Sequence, residues 1–217
     1  MSAFLGPIHH WLFKKIVLFE DLEKKVVSSI SNEYDKEKVK EITTRLQNQY
    51  GDFIPPQPLE DLIDTDNIHG WLQNKISIAE IRQAATIREL IDVFGMDIIA
   101  KIKDVYKEQG MALGKELSSN GSISNAMDLY KELNNFLLEG MPCDNVNNVV
   151  SSSDEEVKWQ ITQCLHRPYW DQVDMNANIM YNLRFTWIQN FIENANPNYT
   201  YDVDLVNNMP LHSIFLK

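Results

Sequence analysis

Apolar residues recur at three- and four-residue intervals near the start of the chain. Ile8, Leu12, Phe19 and Val26 centre one helical face, and His9, Ile16 and Glu20 run along its edge. The same pattern returns 60 positions later, with Ile68, His69, Trp71, Leu72, Lys75, Ile76 and Glu80 falling on Ile8, His9, Trp11, Leu12, Lys15, Ile16 and Glu20. Seven of the thirteen positions from 8 to 20 are identical to their counterparts, and the set includes tryptophan and histidine, both rare residues, so the chain carries an internal repeat. A second helical stretch repeats more faintly, from Lys38 to Gly51 and from Asp97 to Gly110, each glycine standing where a helix C-terminus favours one. Two helix-turn-helix units, residues 8–51 and 68–110, are therefore predicted within a region spanning 1–117. Together they make a four-helix region, and Phe53-Ile54-Pro55-Pro56-Gln57-Pro58 forms an extended connection between them.

The pattern changes in the second half. Ser118 to Ser122 is a Gly- and Ser-rich break, Ser124 to Glu139 reads as a fifth helix stopped by Gly140, and Met141 to Asn147 and Ser151 to Asp154 read as turn and loop. From Glu156 the period is two: Val157, Trp159 and Ile161 face one way, and Lys158, Gln160, Thr162, Cys164 and His166 face the other, which predicts a strand. A helix from Val173 to Ile192 follows, then strands Thr200–Val206 and Leu211–Leu216 around the turn Asn207-Asn208-Met209-Pro210. Residues 124–217 are thus a small antiparallel sheet with a packed helix, and the fold class is α+β, expected to close into one unit with the helical region.

At 217 residues and 44% hydrophobic, the chain can bury a core without disulfides. Its two cysteines fit a reducing, cytoplasmic location. Met1 to His10 lacks the basic and apolar regions of a signal peptide, and charged residues interrupt every apolar stretch well short of the roughly 20 residues a membrane helix needs, so no membrane association is expected. Acidic residues exceed basic ones by 31 to 20 along the whole chain, which disfavours nucleic acid as a partner. No phosphate-binding glycine loop, nucleophile elbow, His-Glu-x-x-His or calcium loop is present.

Side chains able to do chemistry fall in two places. In the repeat, His9 and Glu20 are about 16 Å apart along one helix. With the two helices antiparallel about a pseudo-twofold axis, His9 would meet Glu80 and His69 would meet Glu20, in two histidine–carboxylate sites suited to ligand or metal binding or to a base whose imidazole a carboxylate orients; the plainer alternative is ordinary hydrogen bonding at the edge of the core. His9 or His10 of the amino-terminal helix could also complete the Cys164 and His166 site of the second half. In the second half, Cys164 and His166 share a strand face, with Tyr169 and Trp170 just beyond as binding residues. A thiol beside an imidazole is either a nucleophile with its base or, with Cys143 added from the preceding turn, part of a Cys/His site for zinc or iron; a plain buried thiol is the third choice.

The segment Trp159-Gln160-Ile161-Thr162-Gln163-Cys164-Leu165-His166-Arg167-Pro168-Tyr169-Trp170, with the helix and hairpin after it, resembles the carboxy-terminal part of the bacterial L-2-amino-thiazoline-4-carboxylic acid hydrolase-like family. The resemblance covers the last 60 residues and implies a small cytosolic helical protein acting on a small amino-acid-like substrate. It carries over one position, Cys164, while Met180 and His212 stand near places where that family has further cysteines. The reading that follows is a cytoplasmic protein binding a metal ion or small organic ligand at a Cys/His face. A small-molecule hydrolase with a cysteine nucleophile and a structural or adaptor protein are its alternatives, and a homodimer is compatible with the repeat.

Overall fold

The computed structural model describes residues 5–121, 123–206 and 209–217. The expectations for Met1–Phe4, for Ser122 and for the Asn207-Asn208 turn lie outside them. The chain follows the order α1 (Pro7–Glu33), α2 (Lys36–Tyr50), α3 (Leu59–Leu62), α4 (Ile68–Phe94), α5 (Ile98–Asn120), α6 (Ala126–Leu133), β1 (Asn147–Ser152), β2 (Glu156–Ile161), α7 (Arg167–Gln172), α8 (Ala177–Ala195), β3 (Tyr199–Val206) and β4 (Met209–Leu216). The class is α+β, and both repeat units begin with a helix of 27 residues. Among the described residues no helix is long and apolar enough to cross a membrane.

By its internal contacts the chain divides into two units. The first holds residues 1–101, 137–144 and 166–177, and the second holds 102–136, 145–165 and 178–217. In the first, Leu12 and Ile16 of α1 and their repeats Leu72 and Ile76 of α4 are all buried in one core with Ile54, Leu59 and Ile63 of the connection. Tryptophan and lysine repeat their roles too: Lys15 lies over the Trp11 ring at 3.9 Å and Lys75 over Trp71 at 5.3 Å, each stem packed along the apolar face.

The contacts between α1 and α4 keep a nearly constant sequence offset along the whole length. His9 meets His69, Phe13 meets Trp71, Glu23 meets Arg82 and Thr86, and Tyr34 meets Phe94. A constant offset means the two helices run parallel, which corrects the antiparallel arrangement expected for the repeat. The connection from Gly51 to Asn67 makes this possible by carrying the chain back to the starting end. Gly51 closes α2 at φ +120°, a conformation side-chain-bearing residues rarely adopt.

The second unit is built on a four-stranded antiparallel sheet of order β1-β2-β4-β3. β1 falls where turn and loop were predicted: its pattern of Asn, Val and Ser carries no alternation, because five of its six residues are exposed. In β2 the alternation is as predicted through Ile161, with Val157, Trp159 and Ile161 buried. Trp159 stacks on His212 at 4.9 Å, and the His212 Nδ1 pairs with the Tyr201 hydroxyl at 2.7 Å. Gly110 does not end a helix; it sits inside α5, where a Cβ would come within 2.5 Å of the Trp187 carbonyl oxygen of α8, and a Cβ at Gly114 within 2.4 Å of that of Phe191. These glycines let two helices approach, and the Trp187 indole N–H donates to Gln109 at 2.9 Å across the same contact.

Candidate functional site

The feature that most changes the sequence-based picture is the start of α7. The strand β2 stops at Ile161, so Cys164 lies in the following turn and His166 caps α7, with Pro168 in that helix's first turn. The shared strand face expected for Cys164 and His166 is therefore not formed. Leu-His-Arg-Pro is a helix-start signal, and the period-two pattern was carried five residues too far. The predicted helix from Val173 also starts later, at Ala177, after a turn in which Asp174 has φ +53°.

As the cap of α7, His166 accepts the Tyr169 and Trp170 backbone N–H groups at its carbonyl and directs its ring into the first unit. Its side chain is 4% exposed. Nδ1 lies 2.8 Å from Oε1 of Glu80, a buried residue of α4, and Nε2 lies 3.4 Å from Oε2 of Glu139, which is 14% exposed. The Trp170 indole stacks on the imidazole with centroids 5.6 Å apart. Beside it, Ser77 donates its hydroxyl proton to the Gln73 carbonyl, so the Tyr169 hydroxyl, 3.0 Å from Ser77 Oγ, is the donor of that pair. The structure thus gathers His166, Glu80, Tyr169 and Trp170, all singled out from sequence, and adds Glu139, which the sequence placed at a helix end.

This arrangement has a definite electrostatic logic. With Glu80 accepting Nδ1–H, a neutral imidazole presents its Nε2 lone pair to the Glu139 carboxylate. Two electron-rich groups face each other stably only with positive charge between them, supplied by a proton or by a metal ion. The 3.4 Å separation is long for an N–H···O hydrogen bond. It matches the roughly 3.4 Å that separates two ligands of a tetrahedral ion with bonds of about 2.1 Å.

The remaining predicted residues are distributed elsewhere. His9 and His69 face each other with Nε2 atoms 3.2 Å apart, so neither pairs with the glutamate expected. The Gly6 N–H donates to His9 Nδ1 at 2.9 Å, which leaves the ring proton on Nε2, donated to His69. Burial, then the neighbouring imidazoles His69 and His10, hold His9 below its ordinary value. His10 lies 3.5 Å from Glu60 on the surface. Cys143 is an exposed thiol in the short turn Pro142–Asp144, and Cys164 a half-buried free thiol. Among the described residues, no three His, Cys, Asp or Glu side chains stand together as a metal site.

Glu20 belongs to a second buried cluster that sequence reasoning missed. Arg82, 1% exposed, donates to Glu20 Oε1 at 2.8 Å, to Glu23 Oε2 at 3.1 Å and to the Gly51 carbonyl at 2.9 Å. The Ile54 N–H donates to the other oxygen of Glu20 at 2.8 Å, and the Thr86 hydroxyl to Glu23 at 3.0 Å. Burial pushes Glu23 up from 4.5 to about 7 against the pull of Arg82 and Thr86, with Glu20 adding to the rise. The signal was present: Glu20 and Glu23 are three residues apart, hence on one helical face, and that face is apolar. No protein family, curated protein or solved structure matches the chain.

Proposed function

We propose that the protein binds a divalent transition-metal ion of the zinc or iron class, using His166 Nε2 and Glu139 as ligands. Glu80 orients the imidazole from behind, and the open coordination positions receive water or a small organic ligand. The observation that carries this reading is the carboxylate–histidine–carboxylate line. A buried glutamate holds Nδ1–H at 2.8 Å while the opposite nitrogen meets a second carboxylate at metal-ligand spacing. The second oxygen of Glu80 is buried and accepts no hydrogen bond among the described residues, so His166 is the partner that glutamate is built to serve. Nitrogen and oxygen donors in this mixture suit zinc or iron better than a hard cation such as magnesium. A cytoplasmic location accords with the reduced thiols of Cys143 and Cys164.

The test is elemental analysis of the purified protein and zinc titration of its metal-free form. One ion per chain is expected, with affinity lowered about 100-fold in His166→Gln and roughly 10- to 100-fold in Glu80→Gln. The Cys143→Ser, Cys164→Ser double variant is expected to keep the ion. Absence of zinc and iron uptake by the wild type, or equal uptake by folded His166→Gln, overturns the reading and leaves a proton as the bridging charge.

A further inference from the structure

A cleft of about 200 Å³ opens within the first unit beside the Arg82 cluster, with which it shares Glu23, and none of its lining belongs to the proposed metal site. Glu23, Lys24, Val27 and Ser28 of α1 line it together with Gln47 of α2 and Phe53 of the connection. Its polar lining consists largely of hydrogen-bond donors. Lys24 has no carboxylate partner among the described residues and rests its ammonium over the Phe53 ring at 4.7 Å, in contrast to the adjacent Lys25, which pairs with Asp21 at 2.7 Å. Among the described residues the Ser28 hydroxyl and Gln47 side-chain amide likewise have no hydrogen-bond partner. Val27 and Phe53 supply apolar wall.

A cationic ammonium, two neutral donors and an apolar wall around a space of this size describe the complement of a short organic acid. We propose that this cleft binds a small aliphatic monocarboxylate, its carboxylate held by Lys24, Ser28 and Gln47 and its alkyl part laid against Val27 and Phe53. Glu23 shares the wall, with its buried carboxyl held in the core by Arg82 and Thr86 of α4.

Butyrate is the probe, titrated calorimetrically into the full chain at pH 6 and pH 8, with butylammonium as the control. One butyrate per chain is expected at each pH. Lys24→Gln alters an exposed side chain and is expected to weaken binding at least about tenfold. The proposal is overturned if butyrate fails to bind at pH 6, if butylammonium binds equally well, or if Lys24→Gln binds as tightly as the wild type.

Discussion

Glu20 and Glu80 occupy the same position of the internal repeat, both are buried to within 2% of complete, and they do different things. Glu20 is tied by Arg82 and by the Ile54 N–H into a cluster that joins α1, α4 and the connection after α2. Among the described residues Glu80 meets no arginine; its contact is the His166 imidazole, and one of its oxygens accepts nothing. The position equivalent to Arg82 in the first repeat is Leu22, and the position equivalent to Glu23 is Gln83, which donates to the Phe19 carbonyl at 3.2 Å. A duplicated helix thus keeps its apolar face and changes its polar partners. The lesson is that a buried carboxylate takes its role from the groups placed beside it. One copy fastens the bundle, and the other is left with its bonding capacity turned toward a single histidine.

The contrast can be broken most forcefully at Arg82. Arg82→Met strands two buried carboxylates and is expected to cost about 3–5 kcal/mol in denaturant unfolding, more than any change at the Glu80 end. A loss below about 1 kcal/mol would show that the cluster does not fasten the helices. The shared part of the repeat is tested by Leu12→Ala and Leu72→Ala. Each is expected to cost about 2–5 kcal/mol, and the two should agree closely, because both side chains are fully buried in the same core.

Glu23 gives the pH dependence. Its folded value lies above the unfolded one, so between about 4.5 and 7 the folded state holds a proton that the unfolded chain has released. Stability is therefore greatest at the acid end of this window, falls as the pH rises through it and levels off above. The total fall is on the order of 3 kcal/mol, and Glu23→Gln is expected to flatten it. Thermal melts from pH 4.5 to 8 read this directly, and an unchanged profile in the variant would assign the dependence elsewhere.

The smallest effect is expected at His9, whose value is lowered on folding. Its contribution to stability is present above pH 6.5 and is lost as the pH falls through the folded value. His9→Gln should remove that acid-side loss and leave the profile above neutrality as it was. The two titrating groups of the α1–α4 contact thus carry slopes of opposite sign.

The helices of the repeat, their apolar faces and the closing β-hairpin were legible because burial imposes a period on a sequence, and Leu12, Ile16, Leu72 and Ile76 obey it. The alternation in β2 was legible for the same reason, and β1 was invisible because an exposed edge strand has no buried face to mark it. His166 could be singled out as a chemically capable residue, and its neighbour Pro168 held the information that it begins a helix. Its partners could not be read. Glu80 and Glu139 are 86 and 27 residues away, and Arg82 reaches Glu20 across 62; no local period relates such positions.

What the sequence determined by itself was which surfaces must be buried, since that follows from side-chain hydrophobicity and helix geometry alone. Tertiary structure decided the parallel course of α1 and α4, and with it that histidine meets histidine. It also decided which buried carboxylate found a guanidinium and which an imidazole. Those choices depend on directions and distances between segments far apart in the chain, and a buried charge is stable only where such a partner arrives.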